Sequence, residues 1–124
     1  MRKEVTERMN ANLTLQDRRE LEELVKSIQN SPLASHIRMI KIFGSAVEGN
    51  LRPDSDIDVL CIADKRDVKL FRSLIAIAFD LFLRHGRYLS VKLLSEDQYS
   101  ELTRLQTSFI TNVNRKSEVL WKNH

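Results

Sequence analysis

The apolar run ending in Ile42-Phe43 breaks at Gly44-Ser45, and a second apolar run opens with Asp56-Ile57-Asp58, giving the spacing Gly-Ser-x10-Asp-x-Asp. In an extended strand, residues i and i+2 point to the same face. Asp56 and Asp58 therefore stand side by side. Two like charges so placed repel unless a cation sits between them. An all-oxygen site of this kind suits Mg²⁺, which is held by one or two carboxylates plus phosphate oxygens. The Gly-Ser turn supplies the other half of a phosphate site. Gly44 lets the backbone approach closely, and a short helix starting there aims N–H groups at an anion.

At 124 residues the chain is expected to form one domain, 1–124, with the polar stretch 1–12 as a flexible N-terminal segment. Its 42% apolar and 30% charged content is that of an ordinary globular protein. No apolar stretch approaches the roughly 18 residues of a membrane span, and the start, Met1-Arg2-Lys3-Glu4, is not a secretory leader. The expectation is a cytoplasmic protein with no membrane partner. Cys61 is the only cysteine, lies in an apolar strand and reads as core. The net charge of +3 permits contact with nucleotide or RNA without arguing for it. No aromatic stacking pattern supports direct nucleic-acid binding. His36, His85 and His124 show no metal-ligand spacing, and His85 reads as structural.

The apolar periodicity places the motif in an α-β-α-β-α-β-α(α)-β order. Thr14 with Asp17 caps a helix carrying Leu21, Leu24, Val25 and Ile28, stopped by Asn30-Ser31-Pro32. The charged positions Arg18-Arg19-Glu20-Glu22-Glu23 read as its solvated face. Ile37 to Phe43 is a first strand, Ala46 to Leu51 a short helix, and Asp56 to Ala63 a second strand introduced by the turn residues Asp54-Ser55. Asp67 caps a long helix ending near His85, with Gly86 as its C′ residue. Tyr88 to Leu94 is a third strand, Ser95-x-x-Gln98 a capping box, Ser108 to Arg115 a last helix and Val119-Leu120-Trp121 a last strand. This order implies an α+β or α/β layer fold: a small mixed sheet with helices mainly on one face.

The residues Phe43-Gly44-Ser45, Gly49, Pro53-Asp54-Ser55-Asp56-Ile57-Asp58 and Val59-Leu60-Cys61-Ile62 resemble the nucleotidyltransferase superfamily of DNA polymerase beta and kanamycin nucleotidyltransferase. In length and order the chain is similar to its minimal nucleotidyltransferases, small proteins often encoded beside a HEPN-domain ribonuclease toxin. Phe109-Ile110-x-Asn112-Val113-x-Arg115 and Val119-Leu120 resemble the end of these proteins. The resemblance implies that Gly44 and Ser45 bind the triphosphate of ATP or another NTP. It also implies that Asp56 and Asp58 are catalytic and bind metal, two Mg²⁺ ions about 3.5–4 Å apart. The implied reaction moves AMP from ATP to a hydroxyl of a partner, and so small a chain leaves the acceptor to another protein. A HEPN-domain toxin is the partner the resemblance implies, with a homo- or hetero-oligomer open.

One departure opens an alternative. Active members carry a third acidic residue on the third core strand, whereas Tyr88-Leu89-Ser90-Val91-Lys92-Leu93-Leu94 offers only Ser90 and Lys92 there. A protonated lysine cannot ligate Mg²⁺. Asp54, Asp80 and Glu96 are the conceivable substitutes. Without one, the chain is a degenerate nucleotidyltransferase that binds nucleotide or partner without chemistry.

Overall fold

The computed structural model describes residues 13–123; the N-terminal segment 1–12 and His124 lie outside the described residues. The elements are α1 (Leu15–Gln29), a 3₁₀ turn (Pro32–Ser35), β1 (Ile37–Phe43), α2 (Ser45–Glu48), β2 (Ile57–Ala63), α3 (Val68–His85), β3 (Leu89–Ser95), α4 (Glu96–Leu105), α5 (Ser108–Arg115) and β4 (Ser117–Lys122). The four described strands form one mixed sheet in the order β3-β2-β1-β4. β1 runs antiparallel to both β2 and β4, while β2 and β3 are parallel. A parallel pair needs a long crossover, and α3 is that crossover.

The helix ends form where local chemistry puts them. Thr14 and Asp17 make a reciprocal capping box at α1, and Ser95 with Gln98 makes another at α4. Asp67 caps α3 through the Lys69 amide at 2.7 Å, and Gly86 closes that helix at φ 94°.

Strand alternation divides the core between two faces. Ile40, Ile42, Val59, Cys61, Leu89, Val91 and Leu93 meet Leu21, Leu24 and Ile28 of α1 and Leu70, Leu74, Ala78 and Leu81 of α3. The small helix α2 adds Ala46 and Val47 to this side, so three of the five described α-helices lie on one face. On the other face, α4 and α5 cover Leu60 and Ile62 with Ile110, Val113, Tyr99 and Leu102. Asp58 shares that second face by alternation but lies half-buried at its edge, beyond the helix pad. Among the described residues, no helix is long and apolar enough to cross a membrane. Cys61 is fully buried, and burial pushes its thiol up to about 12, so it is a core thiol rather than a nucleophile.

Candidate functional site

β1 ends at Phe43, and the chain turns through Gly44 at φ 75°, ψ −146° into α2. That backbone region is open essentially to glycine alone. Val47 and Glu48 both donate to the Gly44 carbonyl at 3.0 Å. The amides ahead of them, Ser45 and Ala46, are first-turn donors with no intrahelical partner. Gly49, at φ 90°, ends the helix after one turn.

Register brings the second half of the motif to this turn. Asp58 of β2 pairs with Phe43 on one side and with Ser90 of β3 on the other. A β-carbon built on Gly44 would lie 2.5 Å from Asp58 Oδ2. The carboxylate therefore occupies the space that the missing side chain leaves. Gly44→Ala is expected to force the Asp58 carboxylate to swing away and to strain the turn, costing about 1–3 kcal/mol in thermal unfolding. An alanine variant as stable as the parent, with ligand binding intact, would contradict this account of the glycine.

Asp56 lies just outside the strand, which opens at Ile57, one residue later than the expected start. It is exposed, and its charge acts on Asp58. Burial raises the Asp58 carboxyl above the ordinary carboxylate range; Lys92 pulls it down, and Asp56 pushes it further up. Lys92 sits two residues beyond Ser90 on the same face of β3, its ammonium 3.3 Å from the Ser90 hydroxyl. The side chain directly across from Asp58 is thus a serine, with a lysine next to it.

Of the three conceivable substitute carboxylates, two are engaged elsewhere. Asp80 pairs with Arg84 along α3 at 2.9 Å. Glu96 follows β3 at its far end and lies 3.7 Å from Arg38. Asp54 is exposed in the turn Pro53-Asp54. Among the described residues, no group of three or more His, Cys, Asp and Glu side chains is placed to hold a metal ion. The donor set at this corner is the Asp56/Asp58 pair, which fits Mg²⁺ when phosphate oxygens complete the shell.

The charged face of α1 departs from expectation. Glu20, read as part of a solvated face, is fully buried, and so is Asp17. Positions 17, 20, 21, 24 and 28 share the helical spacing of the buried stripe, so the signal was in the pattern. Arg87, which holds Asp17 across 70 positions of sequence, carried no local signal.

Over residues 22–124 the sequence matches the family described as polymerase beta, nucleotidyltransferase. No curated protein matches the sequence. Among solved structures, spectinomycin adenyltransferase from Enterococcus faecialis, with ATP and spectinomycin, is similar at 18% identity and a TM-score of 0.60. That match covers 86% of this chain and 56% of the other, so this chain spans little more than half of that enzyme's length. A toxin-antitoxin structure with AMP-PNP matches at 21% identity and a TM-score of 0.52, covering 90% of this chain and 76% of the other. A tri-AMPylated HEPN toxin in complex with MNT antitoxin, from Shewanella oneidensis, matches at 21% identity and a TM-score of 0.50, covering 88% and 74%. At such identities the likeness is one of fold. The sequence match itself takes in far more than half of the residues, and by it the chain belongs to the polymerase beta nucleotidyltransferase family.

Proposed function

We propose that this chain transfers a nucleoside monophosphate, AMP from ATP, to a hydroxyl of a partner protein in an antitoxin-like role, with Mg²⁺ as cofactor. The observation that carries the reading is the seating of the Asp58 carboxylate against Gly44. It unites a carboxylate pair and a phosphate-binding turn at one corner of the sheet. Asp56 and Asp58 would hold Mg²⁺, which supplies charge neutralisation on the triphosphate when bound. Ser45, through its hydroxyl and amide, binds the phosphates that leave as pyrophosphate, and Gly44 keeps that backbone close. The acceptor oxygen bonds to the α-phosphorus as the bond to pyrophosphate breaks, and the acceptor proton passes to solvent. The Lys92 ammonium, beside Asp58, adds positive charge where negative charge must be gathered.

The similar structures support this choice of substrate and acceptor: one holds ATP, one AMP-PNP, and one pairs an AMPylated HEPN toxin with its antitoxin. A HEPN-domain toxin is therefore the proposed partner, in a hetero-oligomer. One observation favours a second reading, a module that binds nucleotide or partner without chemistry: the position across from Asp58 is Ser90, not a carboxylate.

Incubation with ATP labelled at the α-phosphate, Mg²⁺ and the HEPN-domain partner separates the two. Transfer places label on the partner. Partner association and ATP-dependent stabilisation without label identify the binding module. Ser90→Asp puts a carboxylate opposite Asp58 and is expected to raise the transfer rate if that position is a vacant ligand site.

A further inference from the structure

We propose that Arg87 is a positioning residue for the Asp56–Asp58 site, holding the loop that delivers Asp56; this rests on the functional reading above. Arg87 leaves the end of α3 just past the left-handed Gly86. Its side chain is 10% exposed and that of Asp17 only 5%. The guanidinium is divided between two tasks. Nε donates to Asp17 Oδ1 and Nη2 to Asp17 Oδ2, both at 3.0 Å, a two-pronged pair with α1. Nη1 donates to three carbonyls of the loop, those of Arg52 at 2.6 Å, Pro53 at 3.3 Å and Ser55 at 2.8 Å.

Those carbonyls lead directly into Asp56. On its other side, the Ile57 amide donates to the Tyr88 carbonyl at 3.0 Å. The backbone of Asp56 is thus bracketed by bonds to two consecutive residues, Arg87 and Tyr88. Asp56 itself is exposed, and among the described residues nothing donates a hydrogen bond to its carboxylate. Its position is therefore set through the backbone. The anchor at the far end is also fixed: Asp17 Oδ2 accepts the Thr14 amide at 3.0 Å within the capping box. Burial pushes the Asp17 carboxyl up, but Arg87 and Thr14 outweigh burial and hold it below the usual range. It stays an anion to which the guanidinium can lock.

Only a planar fork does both tasks. A lysine ammonium is a compact point charge with three donors. It can keep the pair with Asp17 or reach the carbonyls, not both. Partners that orient metal-binding groups from behind typically cost 10–100-fold in affinity or activity when lost.

The test compares the full chain with Arg87→Lys and Arg87→Gln, alone and in an Asp56→Asn background. The readouts are the Mg²⁺-dependent binding of ATP and amide hydrogen exchange of residues 52–57. Arg87→Lys is expected to weaken Mg·ATP binding about 10–100-fold. Exchange should accelerate in 52–57 while the sheet core stays protected. The binding loss should vanish in the Asp56→Asn background, because two changes acting through one residue are not additive. Undiminished loss in that background, or faster exchange spread evenly over the molecule, overturns the proposal. If Arg87→Gln does not fold, the lysine variant carries the comparison. If the parent chain binds no Mg·ATP, the functional reading fails, and the exchange of 52–57 alone then decides whether Arg87 holds the loop.

Discussion

Replacing Asp58 by asparagine is expected to abolish Mg²⁺-dependent nucleotidyl transfer and, at the same time, to make the protein more stable. The two effects have one origin. Burial raises the Asp58 carboxyl above its ordinary range, and the neighbouring Asp56 charge adds to the rise, with Lys92 opposing only in part. A carboxyl with a raised pKa in the folded state binds its proton more tightly folded than unfolded. Stability then falls as pH climbs from the unfolded value through the folded one. Above that window the ionised Asp58 is a standing cost, which a bound cation would offset. Asparagine keeps the shape and removes the charge. Removal of a preorganised electrostatic group at a reacting centre costs about 10²–10³-fold in rate, and loss of a metal-binding carboxylate is expected to reach the upper end or beyond. The checks are label transfer from ATP and thermal unfolding at pH 8 without metal. A less stable Asp58→Asn variant that still transfers at the parental rate would show that the carboxylate is a structural element.

The second large effect lies away from that corner. Glu20 is fully buried in α1, and among the described residues neither carboxyl oxygen has a hydrogen-bond partner in ordinary geometry. Burial pushes its pKa up to about 7; the nearby His85 and Arg87 charges pull it down, while Asp17 pushes it up. The folded protein therefore holds a proton that the unfolded chain releases near pH 4.5. Stability contributed by neutral Glu20 is complete below that value and is lost as pH rises to about 7. The whole limb is about 3 kcal/mol at most. Glu20→Gln should remove it, leaving wild type and variant similar at pH 4.5 and the variant about 2 kcal/mol more stable at pH 8. Asp17 works with the opposite sign: its carboxyl is depressed, so its contribution is present at neutral pH and lost on acidification. Denaturant unfolding across pH 4–8 reads the Glu20 limb, and extension below pH 3.8 reads that of Asp17. A flat difference between Glu20→Gln and the parent over that range would contradict the assignment.

The buried pair Asp17–Arg87 and the buried Glu20 share one small region between α1 and the end of α3, next to the Glu23–His85 contact at 2.8 Å. Four charged side chains of α1 were read as facing water with Glu20, because a polar residue beside an apolar stripe is ordinarily solvated. The stripe in fact widens to include positions 17 and 20, since Arg87 arrives from α3 and gives Asp17 a partner. Burial of Asp17 is then affordable, whereas Glu20 avoids the penalty of a buried charge only below about pH 7, where it holds a proton.

The features legible in the residues alone are local. Alternation and helical spacing located the strands and helices, caps at Thr14, Asp67 and Ser95 set helix starts, and the Gly44-Ser45 break followed by Asp56 and Asp58 marked the corner where they meet. These features depend on residues within a turn or two of each other, and the physical reasons for them are visible in short windows. Everything that depends on pairing across the sheet is set by the packed fold instead. The order β3-β2-β1-β4 and its register put Ser90, rather than Lys92, opposite Asp58. A shift of one residue would have turned both away, because side chains alternate with a period of two. The same holds for Arg87, which meets Asp17 from 70 residues away and the carbonyls of Arg52, Pro53 and Ser55 from more than 30. Such contacts are chosen by how α1, α3 and the loop pack on a common sheet, and no local propensity encodes that choice.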